Sequence, residues 1–153
     1  MVLRPGLCFA RPVIFNTRVL SDERLRVRLT AAGISTESID RADALRKRTG
    51  LGLLSQLWSA GEVRERVLVQ VLADALGSPG IVLSESEIPL KVLRVLPSHF
   101  ARSHHVVPVG TIDGSLAFAC AEPNDHALAQ QLHRWVGRNA HLFVAIPSAI
   151  CSA

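Results

Sequence analysis

Along the first half of the chain, apolar residues recur at helical spacing between polar stops. Leu25, Val27 and Leu29 make a short amphipathic run behind the capping signal Ser21-Asp22-Glu23, and Gly33 ends it. Ser35-Thr36-Glu37-Ser38 caps a second helix predicted to reach about Lys47, with Ile39, Ala42 and either Leu45 or Ala44 facing inward. The pattern then recurs. Leu51 to Ala60 reads as a helix with Leu53, Leu54, Leu57 and Trp58 clustered, and Gly61 stops it. Val63 to Leu76 carries Val67, Leu68, Val71, Leu72 and Ala75 on one stripe before the break at Gly77-Ser78-Pro79-Gly80.

The two halves align at an offset of about 28 residues, which sets Arg24 opposite Gly52, Leu25 opposite Leu53, Leu29 opposite Leu57 and Gly33 opposite Gly61. A single hairpin of this size is too small to bury its own apolar stripe, so two are expected to stack.

Beyond Gly80 the pattern changes. Ile81-Val82-Leu83 predicts a short strand and Ser84 to Glu87 a turn. Pro89 suits the first turn of a helix through Leu90, Val92, Leu93, Val95 and Leu96, which Pro97 kinks or restarts towards Phe100. Val106 to Ile112 and Ser115 to Ala119 flank Asp113-Gly114, a strong hairpin signal. Pro123-Asn124-Asp125 caps a helix to about Val136, with Leu128, Leu132 and Trp135 inward and Gly137 as its stop. Ala140 to Ile146 predicts a last strand. Pro147 opens a helix that ends with the sequence, as expected of a domain taken from something longer.

This pattern predicts an α+β fold. Tandem helical hairpins (residues 21–77) pack with a small α/β subdomain (81–153) that has a short, mostly antiparallel sheet. Residues 1–20 are expected to be a loosely ordered leader.

Composition narrows the function. Apolar residues make up 48% of the chain, ample for a core, yet there is no Tyr and only two Trp and five Phe. Rows of aromatic residues for stacking bases are missing, so no nucleic-acid polymer is expected as a partner. The net charge of +4 is concentrated before residue 50. Such a half suits an anionic ligand or an acidic partner, or is simply a solvated face. Cys8, Cys120 and Cys151 show no metal-ligand spacing, which fits a reducing, cytoplasmic setting and no metal site. No apolar run reaches the roughly 20 residues that span a bilayer, so direct membrane insertion is not expected.

No catalytic chemistry is expected either. The only lysines, Lys47 and Lys91, do not sit in a phosphate loop, which leaves no cradle for a nucleotide and no bound cofactor. Cys120 lies near Asp125 and His126, but its apolar strand reads as core rather than nucleophile. His104 and His105 are adjacent, so their side chains should diverge rather than share a metal.

From Gly50 onward the chain resembles the N-terminal domain of bacterial type II secretion and type IV pilus assembly ATPases (MshE-N-like), without the ATPase domain. The resemblance rests on six fragments in order: Leu54 to Val63, Val71 to Pro79, Leu93 to Ala101, Val107-Pro108-Val109, Asp113 to Ala119, and Glu122 to Asp125. The upstream hairpin extends it to about Ser21. It implies a non-catalytic docking or regulatory module, peripheral to the inner membrane through a partner. That partner would be the inner-membrane platform protein, with an assembly ATPase as a second.

A branch of the family binds cyclic di-GMP through tandem motifs. The resemblance places Arg24, Leu25, Leu29, Gly33 and Ile34 in the first motif and Leu53, Leu57, Trp58 and Gly61 in the second. The departures are in the recognition groups. Lys47 and Ala75 stand where Gln belongs, and Gly52 and Leu54 replace Arg and Gly. Each charge-assisted hydrogen bond lost removes roughly 1.5–3 kcal/mol. Docking is therefore the leading expectation, and a cyclic di-GMP receptor is the alternative.

Overall fold

The computed structural model describes residues 8–9, 21–137 and 140–152. Of the leader only Cys8–Phe9 is among them, and the expectation for the rest falls outside the described residues.

The predicted hairpins form. Helix α1 (Asp22–Ala31) is capped by the Ser21 hydroxyl, which accepts the Arg24 N–H, and α2 (Thr36–Thr49) by Ser35, which accepts that of Ser38. The second hairpin is α3 (Leu53–Ser59) and α4 (Glu65–Leu76). Its equivalence to the first is visible in the backbone: Gly33 and Gly61 both turn the chain at positive φ, +89° and +70°, with open space where a Cβ would go. The demand there is conformational rather than steric.

Leu25 and Leu29 of α1 and Leu53 and Leu57 of α3 are buried in one cluster with Leu68, Val69 and Leu72 of α4. On α2, Ile39 and Ala42 are buried, but Leu45 is 40% exposed and Ala44 is exposed as well. The reason is the charge lattice on that helix. Arg46 reaches Asp22 at 2.8 Å and Asp43 at 3.0 Å, Arg26 pairs with Asp40 and Asp43, and Arg41 pairs with Glu62 at 3.0 Å. Only a narrow stripe of α2 is left to pack. Much of the basic excess is thereby matched by acids, in exposed pairs worth little individually.

Among the described residues five strands form one sheet in the order β1-β2-β5-β4-β3, with β1 Cys8–Phe9, β2 Gly80–Ile81, β3 Val106–Ile112, β4 Ser115–Cys120 and β5 His141–Val144. The pairs β1–β2 and β3–β4 are antiparallel, whereas β5 pairs in parallel with both β2 and β4. Asp113 (φ 49°) and Gly114 (φ 78°) make the tight turn of the β3–β4 hairpin, and a bulge interrupts β3 between Pro108 and Gly110.

Side chains alternate across the sheet. Ala117 and Ala119 of β4 join the core of the helical hairpins, while Phe118 and Cys120 join a second core. That second core includes Phe100 of α6 (Ser98–Ser103) and Leu128 and Leu132 of α7 (His126–Val136). Ala149 and Ile150 of α8 (Pro147–Ser152) belong to the first. The sheet is thus a central layer, with the tandem hairpins on one face and α6 and α7 on the other.

Three local expectations are corrected. The strand predicted over 81–83 ends at Ile81, and a 3-10 turn follows over Leu83–Glu85. The buried Glu65 carboxylate accepts the N–H groups of Leu83 (2.7 Å) and Ser84 (3.2 Å), which draws them away from a ladder. The helix predicted to run from Pro89 to Leu96 is only α5 (Leu90–Leu93), and Pro97 starts α6 afresh. Trp135, expected inward, is 52% exposed, with its ring 6.1 Å from that of Phe100.

Candidate functional site

The tandem hairpins place the predicted ligand residues in two groups. Arg24, in the first turn of α1, is exposed, as are Gly33 and Gly61 at the hairpin turns. Leu25, Leu29, Ile34, Leu53 and Leu57 are buried in the shared core, and Trp58 is half-buried against it. These leucines support the fold and do not form an open wall. Lys47 is exposed and lies 3.9 Å from Asp43. Gly52, opposite Arg24 in the repeat, is the N-cap of α3 and has no side chain to offer.

An open groove of about 480 Å³ does lie on the repeats, between the end of α1 and the outer face of α4. Ala31, Ala32, Val67 and Val71 make its apolar part, and Arg28, Arg66, Gln70 and Asp74 its polar part. Gln70 donates to Asp74 at 3.0 Å, and Arg66 is paired with Glu85. Reading the inward stripe of α4 passes over these residues. Arg66, Gln70 and Asp74 follow each other at four-residue steps on its polar side, which is the signal that marks them.

The His104–His105 pair diverges, and Cys120 and Asp125 are taken up by the fold. The His104 ring packs on Phe100, with centroids 4.4 Å apart, while Nδ1 of His105 lies 3.7 Å from Sγ of Cys151. Cys120 is fully buried, and burial pushes its thiol up to about 12. Asp125 is also spent on structure, since its carboxylate accepts the N–H groups of Ala127 and Leu128 and caps α7. Among the described residues no three His, Cys, Asp or Glu side chains gather as metal ligands, and no helix is long and apolar enough to cross a membrane.

Tandem helical hairpins on one face of a short mixed sheet define an α+β module of the kind found at the N-terminus of secretion and pilus assembly ATPases. The chain belongs to the MshEN domain family, whose model matches residues 76–153. The matched part holds β2–β5 and α5–α8, and β1 and most of the tandem hairpins lie outside it.

Among solved structures, the chain is similar to the N-terminal domain of XpsE at 27% identity and a TM-score of 0.55, covering 89% of this chain and 95% of that one. It is also similar to MshE with cyclic di-GMP at 25% identity and a TM-score of 0.54, covering 84% and 94%. Two relatives are type IV pilus assembly ATPases named PilB. The one from Myxococcus xanthus is 26% identical over 120 residues, and the one from Thermus thermophilus is 33% identical over 90. The matches cover 78% and 58% of this chain but only 21% and 10% of those relatives.

Proposed function

We propose that the chain is a non-catalytic docking and regulatory module of a type II secretion or type IV pilus system. Its partner is the cytoplasmic part of an inner-membrane platform protein, with an assembly ATPase as a second partner. It works on the cytoplasmic side, held at the membrane through that contact. The observation that carries this reading is the match over nearly the whole XpsE N-terminal domain, in a chain whose 153 residues contain no phosphate loop.

A second reading, a cyclic di-GMP receptor, is favoured by the likeness to MshE with cyclic di-GMP, which spans 94% of that chain. It is weakened by Gly52 and Ala75 at the recognition positions and by the burial of Leu29 and Leu57.

Two measurements separate the readings. Pull-down with the cytoplasmic part of the platform protein is expected to capture the chain, and Arg24→Ala is expected to leave that capture intact. Calorimetry with cyclic di-GMP is expected to give no heat of binding. Micromolar affinity that Arg24→Ala weakens at least tenfold, about 1.4 kcal/mol, would make the chain a second-messenger sensor instead.

A further inference from the structure

On the opposite side of the sheet from the tandem hairpins, a groove of about 500 Å³ runs between α7 and the start of β5. Ala129, Ala140 and Leu142 give it an apolar floor. The rim is His126, Gln130, His133 and Arg134; the first three recur at helical spacing along one face of α7. Among the described residues no carboxylate lines the groove. The two acids nearest in sequence precede the helix, and of these Asp125 is occupied as its cap. The rim therefore carries the guanidinium of Arg134 beside two imidazoles and an amide that can donate hydrogen bonds.

The sign of that charge argues about the occupant. The chain's own leader is mismatched, because residues 1–20 contain Arg4, Arg11 and Arg18 and no Asp or Glu. A flat bilayer surface does not enter a concave, floored groove. A peptide with alternating acidic and apolar side chains meets both features: carboxylates on the rim and an apolar group on Leu142.

We infer that the α7–β5 groove docks an acidic segment of the protein partner. This deepens the docking reading and rests on it. Arg134 is the principal anchor, since its planar guanidinium holds a carboxylate through two hydrogen bonds. The exposed basic residues of α2 lie on the other side of the sheet and take no part.

The test uses the full chain and a fluorescent peptide of alternating Glu and Leu, followed by anisotropy at low salt. Binding is expected, Arg134→Glu and His126→Glu should each weaken it at least tenfold, and Arg48→Glu, the same charge change on α2, should leave it within twofold. Circular dichroism of each variant confirms folding. Equal loss from Arg134→Glu and Arg48→Glu would reduce the effect to net charge and overturn the assignment. So would no binding at all, or Arg134-dependent binding of anionic phospholipid vesicles in place of the peptide. Platform-protein capture is then repeated with Arg134→Glu. If the wild type is captured and the variant is captured equally, docking stands and this groove is not its surface. Failure of the docking reading shows differently, as a wild type that captures nothing.

Discussion

At the scale of single residues, Cys120 shows how burial decides chemistry. Its thiol is raised from 9.0 to about 12, first by desolvation, against a backbone hydrogen bond at Glu122 that favours the thiolate, and further by the charges of Asp125 and Glu122. Between about pH 9 and pH 12 the unfolded chain releases a proton that the folded chain keeps. The contribution to stability is therefore fully present below about pH 9 and is lost as the pH climbs towards 12, at up to about 1.4 kcal/mol per unit. Urea unfolding from pH 8 to pH 10.5 should fall more steeply for the wild type than for Cys120→Ala, and parallel slopes would show that the thiol is not shielded. The core role of Cys120 was legible in the sequence because its strand alternates between two apolar faces. Glu65 was not legible. Its partners, the N–H groups of Leu83 and Ser84, lie 18 and 19 residues further on, and no local spacing announces them. Trp135 was misplaced for a related reason, since periodicity names the inward face of a helix but not where the opposing core ends.

At the scale of elements, capping and turn chemistry were read from sequence because they are local. Ser21, Ser35, Gly77 and Gly137 end or begin helices as read, and Asp113-Gly114 closes the hairpin, whereas the left-handed cap at Gly50 extends α2 past the expected end at Lys47. The contact between α4 and β2 was not legible, because it depends on two elements meeting. Gly80 lies against α4 so closely that a Cβ there would stand 2.6 Å from Cγ1 of Val69 and 3.2 Å from Cβ of Ala73. Val69 is fully buried and stiff at χ1, so it has little room to yield. Gly80→Ala should destabilise by about 1–3 kcal/mol. Val69→Ala removes the nearest obstacle and should cost less in the Gly80→Ala background than alone, a coupling of at least about 0.5 kcal/mol in a double-mutant cycle. Simple additivity would mean that the helix and the strand are not pressed together there.

At the scale of the molecule, the α+β class was legible because the apolar period changes at the Gly77–Gly80 break. The strand order was not, since β5 enters between β2 and β4 through parallel pairings that no adjacent residues encode. Those pairings matter for cooperativity. The helical hairpins do not close a core of their own: Leu25, Leu57 and Leu72 share one cluster with Val107 and Val109 of β3, Ala119 of β4, Phe143 of β5 and Ile150 of α8. A pair of hairpins released from the sheet would expose that apolar surface and lose the term that offsets chain entropy. The two tryptophans report on the two sides. Trp58 packs against the shared core from α3, and Trp135 sits beside Phe100 on α7, over the second core. Single-tryptophan variants, Trp135→Phe and Trp58→Phe, should each unfold in urea with a fluorescence midpoint that coincides with the far-ultraviolet circular dichroism of the same variant. Residue-specific substitution costs shift each variant as a whole, so the comparison is made within a variant and not between them. If the Trp58 signal is lost well before the circular dichroism transition is complete, the hairpins come away from the sheet first. The module would then offer a partner a separable helical half rather than one rigid body.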